Sequence, residues 1–233
     1  MLAIFEKELK SYFHSMIAYL FLAMFWLAAA VYFTVYCLSY GIMDFGGYVL
    51  ASITVVFVVI VPILTMRLMA DERKQKTDQL LITCPIKASS VILGKYLAVL
   101  ALFGIGLLGV FGYAVILSFF GDMVWKLTIT SFVGFFLMGA SFLALGTYIS
   151  CCTDNQAVSA SISFGVILLC FFIPNVASFN KTFAAVVEWV SLLDRYDNFI
   201  NGIFDVSSII YYLSFIAVFL FLSMRATEKR RWN

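Results

Sequence analysis

Six stretches without a charged residue divide the chain: Ser15–Tyr40, Phe45–Met66, Tyr96–Gly121, Leu127–Thr153, Asn155–Asn180 and Val206–Met224. Each approaches or exceeds the roughly 20 residues that an α-helix needs to cross about 30 Å of hydrocarbon. Runs such as Val55 to Leu64 do not alternate apolar and polar positions, as the strands of a membrane barrel would. The pattern predicts an all-α integral membrane protein with six transmembrane helices, at 16–38, 47–66, 96–120, 127–150, 156–178 and 206–225. Ahead of them Phe5, Leu9, Tyr12, Phe13 and Met16 recur at helical spacing, with Glu6, Lys7 and Lys10 opposite. That predicts an N-terminal interfacial amphipathic helix over 1–14, with Glu6 and Lys10 in the favourable i,i+4 order.

Between the spans, 41–47 and 121–126 read as short turns, and Cys151 to Gln156 as a tight hairpin. Pro62, late in the second span, is placed to bend it. The segment 179–205 is the longest connection on its side, and it carries too few apolar residues to cross. It is expected to dip into the membrane interface or rest on it.

Composition and charge then fix the solvent and the orientation. With 64% hydrophobic against 12% charged residues, the chain cannot hide its apolar surface in a water-soluble globule. Lys7 and Lys10, the block 67–95 and the tail 226–233 with Arg225 hold twelve of the fifteen basic residues, leaving Lys126, Lys181 and Arg195 for the other side. The positive-inside rule puts both termini and 67–95 in the cytoplasm, with the spans in the plasma (inner) membrane. A net charge of +2 implies no nucleic-acid partner, and the basic groups suit membrane lipid instead. The first apolar stretch is too long for the core of a cleavable signal peptide.

Candidate chemistry is sparse. The only histidine, His14, sits at the edge of the first span, and Cys37, Cys84, Cys151, Cys152 and Cys170 are scattered, so neither a histidine-ligated metal nor a catalytic triad is expected. Gly104, Gly106 and Gly109 spell G-x-G-x-x-G inside the third span, where close helix packing explains them better than a dinucleotide. Gly94-Lys95 lacks the glycine and hydroxyl of a phosphate loop, so no catalytic residue, metal or cofactor is assigned to this chain. All six spans lack the ionisable groups that ion-coupled carriers place at membrane depth. Ala157, Ser161 and Gly165 form a small-residue strip that lets a helix approach closely, either between two subunits, the reading adopted, or within one.

The charged block is the most specific patch. Leu64–Arg73 reads LTMRLMADER and Lys76–Ile86 reads KTDQLLITCPI; the second match, SLLDRYDNF at 191–199 with GIFD at 202–205 and RRW at 230–232, lies near the other end. Both resemble the ABC-2 type permeases, closest to the single-domain branch that includes gliding-motility and nitrous-oxide-reductase-maturation permeases. Lys76 and Asp78 stand where that pattern carries glycine and glutamate. The resemblance implies a transmembrane domain of the type V exporter kind, paired with itself or a sister permease over two copies of an ABC ATPase subunit that binds ATP and Mg. Residue by residue it implies ATPase coupling through Glu72, Arg73, Thr77, Asp78, Leu80, Leu81 and Pro85, with Asp154 and Asn155 as a second cytoplasmic contact. The physics of the loop agrees: Thr77 can cap a short helix that Cys84-Pro85 ends, and Leu80 and Leu81 form an apolar knob ringed by charge. The expected function is export from the cytoplasm or inner leaflet. An ion-coupled secondary transporter and a non-transporting membrane scaffold are the alternatives.

Overall fold

Ser15 is where the chain changes direction for the first time. Its hydroxyl accepts the Ile17 amide at 3.3 Å, capping a new helix and ending the one before it. The computed structural model describes residues 2–69, 88–177 and 191–231, and among them there is helix and turn but no strand. In chain order the helices are α1 (Leu2–His14), α2 (Met16–Ser39), α3 (Phe45–Thr65), α4 (Ala88–Ser118), α5 (Trp125–Cys152), α6 (Gln156–Ala177), α7 (Leu192–Ile200) and α8 (Val206–Arg231). Five of them, α2, α3, α4, α5 and α8, contain stretches long and apolar enough to cross a membrane. The apolar part of α6, Gln156–Phe172, is shorter.

Two boundaries differ from the charge-based reading. α4 starts at Ala88, so residues 88–95 of the expected loop are helical, and α8 continues to Arg231 through most of the expected tail. A helix satisfies its own backbone, so it can run past the bilayer edge into water, where charge marks the membrane boundary but not the helix end.

The α2–α3 turn shows how irregular backbone is accommodated. The last six residues of α2, Thr34–Ser39, and the first six of α3, Phe45–Leu50, are π-helical. Gly41 takes φ +70 between them, and Asp44 caps α3 by accepting the Gly47 amide at 2.9 Å. The irregular turn further along α3 is a 3-10 stretch at Thr54–Val56, where the Thr54 hydroxyl donates to the Ala51 carbonyl. Pro62 itself lies in the α-helical part that follows.

α5 is the axis of the bundle, with 78% of its apolar window buried. Its glycines let neighbours touch its backbone. A Cβ on Gly139 would meet the Phe103 ring of α4 at 2.5 Å, and one on Gly146 would meet Thr65 of α3 at 2.5 Å. Around Gly139 lies a cluster of rings, with Phe57 at 4.8 Å from Phe135 and 5.6 Å from Phe103. Phe25 of α2 closes it at 6.1 Å from Phe103.

Candidate functional site

One end of the bundle gathers the features that the sequence assigns to the cytoplasm. α1 turns Glu6, Lys7, Lys10 and His14 outward, and His14 Nδ1 lies 2.8 Å from the Lys10 carbonyl. Its inner face is anchored at two points. The buried Tyr12 hydroxyl donates to the Leu64 carbonyl in the last turns of α3 at 3.1 Å. Lys95, in the second turn of α4 and only 2% exposed, puts its Nζ 3.0 Å from Glu8 Oε1. α1 therefore touches the outgoing end of α3 and the incoming end of α4, the two stems of the charged loop.

The Lys95–Glu8 pair is the part of this site that the sequence reading missed. In the sequence Lys95 is one cation of the charged block and follows Gly94 without the rest of a phosphate loop, yet it is buried against a helix 87 positions away. A lone buried ammonium would be strongly disfavoured, and the carboxylate opposite it compensates the desolvation. The only sequence signal is local: Glu8 is the one charge of α1 that falls beside Phe5, Leu9 and Tyr12 instead of on the outer face.

The same end holds the α5–α6 hairpin. Met69, just beyond α3, donates its amide to Ser150 Oγ at 3.1 Å, which ties the first stem of the loop to the last turn of α5. Thr153 Oγ1 donates to the Ile149 carbonyl at 3.0 Å, and Asn155 Oδ1 accepts the Ala157 amide at 3.0 Å. Asp154 and Asn155 are exposed at the tip, so the structure brings the proposed second contact to the end where the loop stems lie. Asn155 has a structural task there, capping α6. The last turns of α8 reach this end too, because Tyr148 packs on Phe219 at 5.8 Å. Glu72, Arg73, Thr77, Asp78, Leu80, Leu81 and Pro85 lie outside the described residues.

On α6 the strip Ala157, Ser161 and Gly165 faces outward: the first two are exposed, and a Cβ on Gly165 would meet nothing within 4 Å. The opposite face, with Ser159 and Ser163, is buried in the bundle. The glycines of α4 divide similarly. Gly106 and Gly109 lie against α2, where Trp26 Nε1 donates to the Gly106 carbonyl at 2.9 Å, as close packing predicts. Gly104 and Gly112 do not take part in that contact.

At the other end, part of the segment 179–205 packs into the bundle as α7. α7 is capped by Ser191, whose Oγ accepts the Asp194 amide at 3.1 Å, and it buries Leu192, Tyr196 and Phe199. The Tyr212 hydroxyl of α8 donates to the Leu192 carbonyl at 2.6 Å. Arg195 lies over the Tyr211 ring, its guanidinium carbon 4.1 Å from the centroid. Burial, and secondarily the nearby Asp194, push the Asp197 carboxyl above its ordinary range, while hydrogen bonds from Ser208 and Ser207 hold Asp205 below its own.

The long apolar helices, joined by charged connections, define a multi-pass membrane protein. The profile of the family described as ABC-2 family transporter protein matches residues 38–194, and the chain belongs to that family. The matched residues run from the end of α2 into α7 and include the whole charged block. No curated protein matches the chain. Membership makes it the membrane component of an ABC transporter, in a family of transport subunits that are generally non-catalytic and normally work with an ABC ATPase.

Proposed function

We propose that this chain is the permease subunit of an ABC exporter of the single-domain branch, driven by two copies of a separate ATPase that bind ATP and Mg. The observation that carries the reading is the family match across 38–194, which contains the whole block 67–95. In this reading α6, a 22-residue helix roughly 33 Å long, crosses the membrane with the other five to make six spans. Both termini and the loop face the cytoplasm in the plasma (inner) membrane, and α1 lies at the inner interface with its charged face to water. The geometry around the stems supports coupling through this loop: α1 holds α3 through Tyr12 and α4 through Glu8, so a push on the loop is passed to both helices together. The exposed strip on α6 pairs two permease subunits, either two copies of this chain or this chain with a sister permease, and substrate passes between them.

The test is Leu81→Asp, which places a carboxylate in the proposed ATPase contact. Co-purification of the ATPase and transport by the reconstituted complex should both be lost, a change of roughly tenfold or more in affinity for an unpaired charge in an apolar contact. Normal ATPase retention and transport by a correctly inserted variant would return the loop to the status of a topological signal. Orientation is tested separately. In a cysteine-free background, Lys7→Cys should resist an impermeant thiol reagent added outside intact cells, whereas Asn180→Cys should react. Ser161→Cys should crosslink two permease chains, and a crosslink confined to one chain would refute the paired strip.

A further inference from the structure

Two buried hydroxyls on α6 break the pattern that their neighbours set. Thr65 donates to the Val61 carbonyl at 2.9 Å, Thr147 donates to the Leu143 carbonyl at 2.7 Å, and Ser150 accepts the Met69 amide at 3.1 Å. Ser159 and Ser163 are fully buried, at 0% exposure, and their Oγ atoms have no hydrogen-bond partner among the described residues. Four positions apart, they stand one turn from each other on the same face of α6. Ser161 lies between them on the outward face and donates to the Ala157 carbonyl of its own helix at 2.9 Å. Every helical serine has that bond within reach, so the two inner hydroxyls are turned away from their own backbone and into the bundle.

The surroundings of the two hydroxyls select their ligand. α6 packs against α5 and against the last part of α3, Phe57–Thr65. In these three helices the only charged residue is Lys126, at the opposite end of α5, so an ion in this seam would find no counter-charge. A small uncharged partner that bonds to hydroxyls remains, and water is that partner. It is close at hand: Asn155 is exposed at the hairpin tip, and Ser159 and Ser163 follow it by four and eight residues, roughly 6 and 12 Å along the axis. The connections set which side of α6 can part. Asp154 and Asn155 join it directly to α5 at this end, whereas α3 is held to α1 through Tyr12 and to α5 through the Met69–Ser150 bond. We propose that α6 swings away from α3 at the hairpin end and admits water to Ser159 and Ser163. The hydroxyls themselves favour the motion, since a buried donor without a partner is costly and a hydrated one is not.

The test uses the full-length protein in phosphatidylcholine nanodiscs, where a reagent reaches both faces of the membrane. Single cysteines on α6, in a cysteine-free background, are treated with a charged methanethiosulfonate, which attacks a thiolate in contact with water. Ser159→Cys and Ser163→Cys should react about tenfold faster than two controls. These are Ile162→Cys, at the same depth on the outward face, and Ile167→Cys, buried one turn deeper. Adding Ser163→Ala should slow the reaction of Ser159→Cys about fivefold, because it removes part of what the open seam gains from water. Ser159→Ala should slow Ser163→Cys in the same way, which keeps the test available should the first pair fold poorly. Equal rates at Ser163→Cys and Ile162→Cys would overturn the proposal, as fraying of the whole helix end. So would serine positions that do not react, or that react at rates the alanine changes leave unaltered.

Discussion

α5 and α8 are both long apolar helices, with mean hydropathies of 1.8 and 2.1, yet 78% of the apolar window of the first is buried inside the bundle and only 22% of the second. The more hydrophobic helix is the more exposed one. In water this order would be reversed; in lipid the surroundings are as apolar as any side chain, so hydropathy does not drive a helix inward. What separates the two is the size and chemistry of their contact faces. α5 presents Gly134, Gly139 and Gly146 to its neighbours, and its buried hydroxyls bond its own backbone, Ser141 to Leu137 at 3.0 Å and Thr147 to Leu143 at 2.7 Å. α8 has one narrow buried stripe, Ser208, Tyr212, Leu220 and Ser223, and it lies against α5, α4 and α7. Its remaining faces carry Ile210, Leu213, Val218 and Phe221 outward.

The contrast breaks first at α5. Gly139→Leu would drive a side chain into the Phe103 ring at the centre of the aromatic cluster, and overpacking there should cost about 3 kcal/mol. Thermal unfolding in detergent should show it as the largest loss of this set, and an unchanged midpoint would mean that the α4–α5 contact is looser than described. A smaller effect belongs to Tyr212→Phe on α8. It removes the Tyr212 hydroxyl that donates to the Leu192 carbonyl, at about 1 kcal/mol, with protease sensitivity near α7 rising before the bundle unfolds. Ile210→Ala, on the outward face of the same helix, should fall within about 0.5 kcal/mol of the parent by the same measurement. A large loss at Ile210 would show that α8 is covered by a partner.

The smallest effect concerns the start of α8. Asp205 caps it, with Oδ1 accepting the Ser207 amide at 3.0 Å and Oδ2 the Ser208 hydroxyl at 2.7 Å. Its folded-state carboxyl titrates below the ordinary value, so its contribution is present above that value and is lost as pH falls through the depressed one. Asp205→Asn should therefore narrow the difference in stability between pH 6 and acid strong enough to protonate the folded carboxyl, where the neutral group has lost its advantage as a cap. A parent and variant with parallel pH profiles would remove the cap from the account. Asp197 acts in the opposite sense, because its raised titration means that its charge is disfavoured in the folded protein and that acid relieves this.

Much of the candidate site was legible because its signals are local. The polar face of α1, the charge-free stretches and the hairpin capped by Asn155 each follow from residues within a few turns of one another. Glu8 and Lys95 were not legible as a pair, since each has an ordinary local explanation and only their meeting makes either one unusual. The G-x-G-x-x-G stretch was legible as packing for Gly106 and Gly109, which meet α2, but not for Gly104. Spacing along one helix places a residue on a face and cannot tell which neighbour, if any, covers it.

By itself, then, the amino-acid order determined the solvent of this protein, the number of apolar stretches and the grouping of its positive charge, because transfer into lipid and retention of cations on one side act on each segment separately. Tertiary structure decided which of those stretches stands at the centre. It also decided that α4 begins within the charged block, that α7 enters the bundle and that α1 straps the stems of the loop. These outcomes depend on how closely two backbones can approach and on whether a buried polar group meets its partner. Both are properties of pairs of helices, and in lipid no difference in hydrophobicity reveals them beforehand.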